Sequence, residues 1–248
     1  MLGILSDVGN VRKINEDSVG YFESNDISIY AVADGMGGHN AGEVASELAI
    51  NVIMEYIKDN HSNLDMEQVI SEGIKSANDK IYDMASGDES LKGMGTTITM
   101  CLIKQNKMVV ANVGDSSCYI INNVRKLMKI TRDHSLVQQL LDNGTITEEK
   151  ARNHPNKNII TRALGTNESV EVDLFEVDLT SVIKCILCTD GLTNDVTCDE
   201  MSSIILEKDN DSSCKALVDL SKSTGGRDNI SVIIFEGGCS DDRKNTRE

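Results

Sequence analysis

Residues 29–39 read Ile29-Tyr30-Ala31-Val32-Ala33-Asp34-Gly35-Met36-Gly37-Gly38-His39. The run begins as a short apolar strand, reaches a carboxylate and continues through three glycines into a helical pattern. Glycine allows the backbone to approach a ligand closely, and a carboxylate at a strand end is accessible to an ion. Taken alone, the same stretch is more typical of a plain turn between a strand and a helix than of a metal site.

An aspartate at a strand terminus recurs at three other places. Asp115 and Asp190 each follow an apolar strand, whereas Asp228 comes just before one. If these strands share one core, their aspartates can gather at one edge of it. Ionised carboxylates that lie so close repel, which raises some of their pKa values unless cations neutralise them. The sequence therefore predicts a metal site built from carboxylates.

The acidic composition limits the classes of partner. Forty Asp and Glu residues against 24 Lys and Arg give a net charge of −16, so most of the surface would repel a phosphate backbone. Aromatic residues make up 3% of the chain and tryptophan is absent, which leaves few platforms for stacking bases. We therefore expect no nucleic-acid partner.

Hydropathy and cysteine usage indicate the compartment. No apolar run approaches the length of a membrane span, and no basic segment followed by an apolar one opens the chain. The seven cysteines lie mostly in apolar segments, which is typical of reduced core thiols. We expect a cytoplasmic protein without membrane insertion.

The order of the predicted elements indicates an α+β fold class. Helices are predicted at 41–58 and from 66 to about 85, where apolar residues recur with a helical period. Four strands predicted between residues 97 and 130 are separated by short polar turns, which favours one antiparallel meander. Helices in pairs and strands in runs favour a sandwich over alternating βαβ units.

One domain is the expected organisation. Residues 1–237 contain no linker-like segment and no internal repeat, whereas 238–248 are polar and are expected to be a disordered tail. From residue 145 to 162 the chain is polar, contains the only proline and lacks a long apolar period. This segment is expected to leave the core as a flap.

Other site chemistries fit less well. Residues 35–40 resemble a dinucleotide-binding loop, but the last glycine position is Asn40. None of the four histidines is paired at metal-ligand spacing on a helix, which disfavours zinc. Carboxylate, carbonyl and water ligands select hard cations such as magnesium or manganese. The local sequence around Arg12 is equally compatible with a surface ion pair and with a guanidinium that binds phosphate.

Eight short motifs follow one another along the chain: Asp7-x-Gly9-x-x-Arg12-x-x-Asn15-Glu16-Asp17, Ala33-Asp34-Gly35-Met36-Gly37-Gly38-His39, Gly95-Thr96-Thr97, Val113-Gly114-Asp115-Ser116, Asp133-His134-Ser135, Ile160-Thr161-Arg162-Ala163-Leu164-Gly165, Thr189-Asp190-Gly191-Leu192 and Asp228-Asn229. In this order they resemble the bacterial form of the metal-dependent serine/threonine protein phosphatases of type 2C, the PPM family. Each motif alone is weak, but the ordered set is specific and spans roughly residues 3–236.

The resemblance implies a fold and a set of site residues. The fold would be a four-layer αββα sandwich, in which two antiparallel sheets are flanked by helices and a flap at about 143–162 lies beside the site. The ligands of two ions would be Asp34, which bridges them, the Gly35 carbonyl, Asp190 and Asp228, and Asp115 would bind a third ion. Glu16 and Asp17 would hold metal-bound waters, and Arg12 would bind the phosphate.

The resemblance also implies a reaction. A hydroxide bridging two manganese or magnesium ions would attack phosphoserine or phosphothreonine in line, without a covalent enzyme intermediate. The leaving group would take its proton from a metal-bound water or from His39, for which a capping role is equally compatible. The arginine that usually follows Gly-Asp-Ser in the family, and that would support the Asp115 loop, is Ser117 here.

Two functional alternatives remain beside the phosphoprotein phosphatase. One is a catalytically silent, metal-sensing binding module, against which the retained Asp34, Asp190, Asp228 and Arg12 argue. The other is a hydrolase of small phosphoesters. For the leading hypothesis, the partners would be phosphorylated proteins and a eukaryotic-like serine/threonine kinase, and the protein would be a monomer.

Overall fold

Strands and helices follow one another in blocks along the chain. The computed structural model describes residues 1–38, 41–152 and 154–239, with only the backbone of residue 152. The strands in these ranges are β1 (Gly3–Asp7), β2 (Asp17–Glu23), β3 (Ser28–Met36), β4 (Gly95–Thr96), β5 (Ile98–Lys104), β6 (Lys107–Val113), β7 (Ser117–Asn122), β8 (Leu127–Lys129), β9 (Asp173–Asp178), β10 (Val182–Cys188) and β11 (Ile230–Glu236). The helices are α1 (Ala41–Asn60), α2 (Met66–Gly87), α3 (Leu136–Asp142), α4 (Glu148–Arg152), α5 (Asp190–Thr193), α6 (Cys198–Glu207) and α7 (Asn210–Thr224).

The strands form two antiparallel sheets. Sheet I has the order β1-β11-β10-β7-β8, and sheet II has the order β2-β3-β5-β6-β9, with β4 paired to β3. The helices α1 and α2 cover sheet II, and α5 to α7 cover sheet I. This arrangement confirms the expected α+β sandwich of two sheets flanked by helices. Of the helices described, none is both long and apolar enough to cross a membrane.

Residue alternation along β3 explains why this strand lies between two apolar layers. Ile29 and Ala31 pack beneath α1 and α2, whereas Tyr30 and Val32 pack between the two sheets. The Tyr30 ring stacks on Phe235 of β11 with ring centroids 3.9 Å apart. Burying a large apolar side chain stabilises a fold by about 1.5–3 kcal/mol, so the inner layer holds the sheets face to face.

The expected single meander of four strands is wrong. The hairpin of β5 and β6 belongs to sheet II, whereas β7 and β8 pair in sheet I. The chain crosses between the sheets at residues 114–116, where Gly114 adopts a φ of 113°. Alternation of apolar residues shows that these segments are strands, but it does not show which partner each strand takes.

The predicted flap returns to α3. Within 143–162 the described residues include α4, and an isolated antiparallel bridge joins Ser135 to Ile160. The amide of Leu136 also donates to the Ile159 carbonyl at 2.9 Å. Residues 240–248, most of the predicted tail, lie outside the described residues, and their disorder stays a prediction.

Candidate active site

Sheet II contributes two acids at one of its ends. Asp17, the first residue of β2, lies directly opposite Asp34 near the end of β3. The Asp34 amide donates to Thr97 Oγ1 at 2.9 Å, and the Thr97 amide donates to the Asp34 carbonyl at 2.9 Å. The Gly95-Thr96-Thr97 motif therefore fixes the backbone from which the Asp34 carboxylate projects.

Sheet I brings three further acids to the same centre. Asp190 begins α5 just after β10, and Asp228 comes just before β11, which pairs antiparallel with β10. Asp115 lies in the crossover between β6 and β7. Asp17, Asp190, Asp115 and Asp228 all act electrostatically on Asp34. Residues more than 200 positions apart in the chain thus meet where the strand ends of both sheets converge.

Close approach of the backbone at this end requires glycine. The Gly35 amide donates to the Glu16 carbonyl at 3.1 Å. A Cβ on Gly35 would lie 2.1 Å from the carbonyl oxygen of Gly42, in the first turn of α1. Because no side chain fits there, α1 begins directly beside Asp34 and Glu16.

Asp17 is held by two hydroxyl groups that the sequence analysis missed. Its Oδ2 accepts hydrogen bonds from Thr189 Oγ1 at 2.8 Å and from Ser231 Oγ at 2.7 Å. Both donors come from sheet I and its loops, so they fix an acid of sheet II across the gap between the sheets. Ser231 is a polar residue within the otherwise apolar run of β11, and this departure from the apolar pattern could have indicated a functional contact.

Several carboxylate oxygens in this region are buried without a hydrogen-bond partner among the described residues. They are Glu16 Oε1, Asp17 Oδ1, Asp115 Oδ1 and Asp190 Oδ1. Leaving such a group unpaired costs about 1–3 kcal/mol or more, so buried polar atoms normally have partners. Four unpaired carboxylate oxygens around one centre form the donor chemistry that hard divalent cations prefer. The residues therefore fit the metal that the sequence predicts.

The side chains do not by themselves form a closed cage. Within the described ranges, no three acidic, histidine or cysteine side chains are arranged to hold a single ion. A shell completed by the Gly35 carbonyl and by water needs fewer side chains per ion, so the unpaired carboxylate oxygens still suit a divalent cation.

Burial, and then repulsion between neighbouring carboxylates, raises the pKa values of the acids. Burial, followed by repulsion from Asp17 and Asp190, raises the pKa of Asp34 well above its ordinary value. Burial raises the pKa of Asp17 to about 7, with Asp190 and Asp228 adding to the shift against the lowering effect of the two hydroxyl groups. Burial also raises the pKa of Asp115 and of Asp190. A bound cation would offset this electrostatic cost.

Arg12 lies at the rim of the centre, with 47% of its side chain exposed. Its Nε and Nη2 atoms each approach Asp228 to 2.9 Å in a bidentate pair, and Nη1 is 3.7 Å from Glu16. Burial lowers the pKa of Arg12, but the attraction of Asp228 outweighs this effect and leaves the pKa raised. A permanently charged fork next to the acids is suited to a phosphate group.

The loop that carries Arg12 is fastened to the Asp228 loop by amides that the sequence analysis did not single out. Asn229 accepts from the Glu16 amide at 2.8 Å and donates to the carbonyls of Val8 and Ile14. Asn10 donates to the Lys222 carbonyl at 2.7 Å. Asn229 belongs to the Asp228-Asn229 motif, whereas no local sequence pattern predicts a structural role for Asn10.

A polar link connects the predicted flap to Asp190. Asn194 Nδ2 donates to Asp190 Oδ2 at 2.9 Å, and Lys157 Nζ donates to Asn194 Oδ1 at 2.8 Å. Asn194 follows Asp190 by one helical turn, a spacing that could have indicated the contact. His39, the candidate acid, lies outside the described residues, so its role stays a prediction.

Comparison with known proteins agrees with this geometry. The family model described as "Protein phosphatase 2C" matches residues 10–218. The chain is 44% identical over 237 residues to "Serine/threonine phosphatase stp" of Listeria monocytogenes, covering 93% of each chain. The crystal structure of the serine/threonine phosphatase Stp1 from Staphylococcus aureus superposes with a TM-score of 0.88 at 35% identity, covering 95% of this chain and 94% of that one. The catalytic domain of the phosphatase PstP in complex with two manganese ions superposes with a TM-score of 0.82 at 32% identity, covering 96% and 97%.

The sandwich of two antiparallel sheets flanked by helices is thus the fold of PPM-type serine/threonine phosphatases. The chain belongs to the protein phosphatase 2C family and is an enzyme of the protein serine/threonine phosphatase class, as its ordered motifs predicted.

Proposed function

We propose that the chain removes phosphate from phosphoserine and phosphothreonine residues of proteins, with two divalent cations bound at the acidic centre. The observation that carries this proposal is the set of four buried, unpaired carboxylate oxygens beside the Arg12 guanidinium. Anionic ligands for cations and a cationic fork for phosphate therefore stand side by side. The manganese-bound structure of PstP supports manganese as one such cation, and magnesium is proposed on ligand chemistry alone.

Each site residue has a proposed role. Asp34, the Gly35 carbonyl, Asp190 and Asp228 would hold two cations, Asp115 would hold a third, and Glu16 and Asp17 would bind water at the cations. When bound, the cations would supply Lewis-acid activation of water and neutralise charge on the phosphoryl group.

The residues of this chain would orient the substrate for in-line attack. Asp228 would hold the guanidinium of Arg12 by its Nε and Nη2 atoms, and Arg12 would donate to the phosphoryl group from Nη1 and hold phosphorus over the acids. His39 is a candidate proton donor to the departing serine or threonine oxygen. No side chain in this arrangement is required to form a covalent intermediate.

The biological setting is also a proposal. The substrates would be proteins phosphorylated by a eukaryotic-like serine/threonine kinase, and the enzyme would act as a cytoplasmic monomer. Residues 1–237 would form one catalytic domain, with a flap at about 143–162 beside the centre. The link from Lys157 through Asn194 to Asp190 supports the place of the flap.

Phosphate release from a phosphothreonine peptide tests the function. Protein stripped with a chelator should be inactive, regain activity as manganese is added, and lose it when Asp34 is replaced (Asp34→Ala). Asp26→Ala is the matched control, because Asp26 is exposed in the turn at the other end of the same β2–β3 hairpin. Folded protein that releases no phosphate at millimolar manganese, or that prefers sugar phosphates to the peptide, would contradict the proposal.

A further inference from the structure

The turn that carries Asp115 packs closely against Thr97. Gly114 has a φ of 113°, and a Cβ at this position would lie 2.5 Å from Thr97 Cγ2. The next residue, Asp115, is buried, and its Oδ1 has no partner in the described part of the chain. On its other side, the turn is fastened by Ser116, whose Oγ lies 2.9 Å from Thr97 Oγ1.

His134 contacts this turn with both its backbone and its ring. The Gly114 amide donates to His134 Nδ1 at 3.0 Å, and the His134 amide donates to the Gly114 carbonyl at 2.9 Å. The ring is buried, with 9% of the residue exposed. The peptide units on either side of Gly114 Cα are therefore each held by His134, twenty positions away in the chain, and the Gly114 carbonyl also accepts from Asn112 Nδ2 at 3.2 Å.

These contacts define the tautomer of the ring. The amide of Gly114 can only donate, so Nδ1 must carry the lone pair and Nε2 must carry the proton. Nε2 lies 3.1 Å from Asp173 Oδ2, which can accept that proton in a hydrogen bond. Arg162 Nη1 is 3.0 Å from the same nitrogen, but it is also a donor and lies 2.6 Å from Asp173 Oδ1. His134 and Arg162 thus both donate to Asp173.

We propose that His134 is a positioning residue, whose Nδ1 lone pair holds the Gly114 amide and thereby orients Asp115 toward a cation. Asp173 at the start of β9 in turn fixes the ring by accepting a hydrogen bond from the Nε2–H group. The inference rests on the proposed function, because that function gives Asp115 its role as a ligand. It assigns to the histidine of the Asp133-His134-Ser135 motif a purpose that needs no contact with substrate.

The tautomer can be measured on the unaltered protein. Long-range proton–nitrogen correlation NMR on chelator-treated protein should show a protonated Nε2 and an unprotonated Nδ1 for His134. A protonated Nδ1 would overturn the proposal, since that nitrogen could not accept from Gly114. This readout is independent of metal binding and of catalysis.

Two substitutions separate the acceptor from the ring. His134→Leu removes the acceptor, whereas the Oδ1 of His134→Asn can replace Nδ1 but offers nothing that reaches Asp173 in the same way. By isothermal titration with manganese, we expect the weakest cation site to lose about tenfold in affinity in His134→Leu, the size of one lost buried hydrogen bond. In His134→Asn the affinity should return to within about threefold of wild type. His61→Leu, in the turn after α1, is the matched control.

Asp115→Asn distinguishes failure of this inference from failure of the proposed function. If Asp115→Asn weakens the site but His134→Leu does not, the positioning role is wrong while the ligand role stands. Equal losses in His134→Leu and His134→Asn would also overturn the acceptor role. If neither Asp115→Asn nor His134→Leu changes manganese binding, the assignment of Asp115 as a ligand is wrong, and the positioning role fails with it. Should His134→Leu not fold, the NMR result and His134→Asn decide.

Discussion

Replacing Asp17 with asparagine should stabilise the metal-free protein, although it removes a residue of the active site. Burial and neighbouring acids raise the pKa of Asp17 from 3.8 to about 7, so the folded state binds this proton more tightly than the unfolded state does. Stability therefore falls as pH rises from the unfolded to the folded pKa and is constant above it. Asparagine stays neutral at every pH and can still accept from Thr189 and Ser231.

The magnitude follows from this shift. Between about pH 5 and pH 8, ionisation of Asp17 should lower the free energy of unfolding by roughly 2–3 kcal/mol, and Asp17→Asn should abolish this part of the pH dependence. Urea unfolding in excess chelator at both pH values measures the difference between variant and wild type. Asp26→Asn, in the exposed turn at the far end of the hairpin, should show no such difference.

If Asp17→Asn is no more stable than wild type in chelator at pH 8, burial and neighbouring acids do not destabilise the ionised Asp17 carboxylate, and the prediction is wrong. A second comparison follows from the same electrostatics: saturating manganese should reduce or reverse the advantage of the variant, because bound cations offset the repulsion that asparagine relieves.

Three further substitutions test other parts of the site. Arg12→Lys should lower kcat/KM for a phosphothreonine peptide by on the order of 10–100-fold, because an ammonium cannot pair with Asp228 through two N–H groups and also donate to the phosphate from a third; steady-state kinetics with full activity would argue against a phosphate-binding role. Asn229→Ala should lower the free energy of unfolding by about 2–4 kcal/mol, since its buried side chain makes three hydrogen bonds, and a urea-measured change near zero would contradict this. If residues 143–162 act as a flap that Lys157 holds through its exposed contact with Asn194, Lys157→Met should raise KM several-fold and change the free energy of unfolding by less than about 0.5 kcal/mol; an unchanged KM would show that this contact does not contribute to substrate binding.

Features encoded within one segment were predictable from the sequence. The apolar period of α1 and α2 and the alternation along β3 depend only on which residues face the core. The four aspartates were recognisable because each interrupts an apolar strand or borders one, beside glycine or asparagine. Local pattern and tertiary structure agree in these places.

Features that depend on strand pairing were not predictable in the same way. The pattern of β6 and β7 indicates two strands, yet only the three-dimensional arrangement assigns them to different sheets. The hydroxyl groups of Thr189 and Ser231 reach Asp17 from positions 172 and 214 residues away along the chain. No spacing rule connects such residues, because their contact depends on how the two sheets are stacked.

The central claim is that the acids where the two sheets meet hold divalent cations, and anomalous scattering from crystals grown with manganese tests it most directly. The account predicts two strong manganese peaks in contact with the Asp34 carboxylate, with Asp190 and Asp228 among the other ligands and a weaker peak beside Asp115. Crystals of Asp34→Asn grown in the same way should lose at least one of the two strong peaks. Manganese peaks remote from Asp34, or no peak at all at a concentration that supports phosphate release, would contradict it.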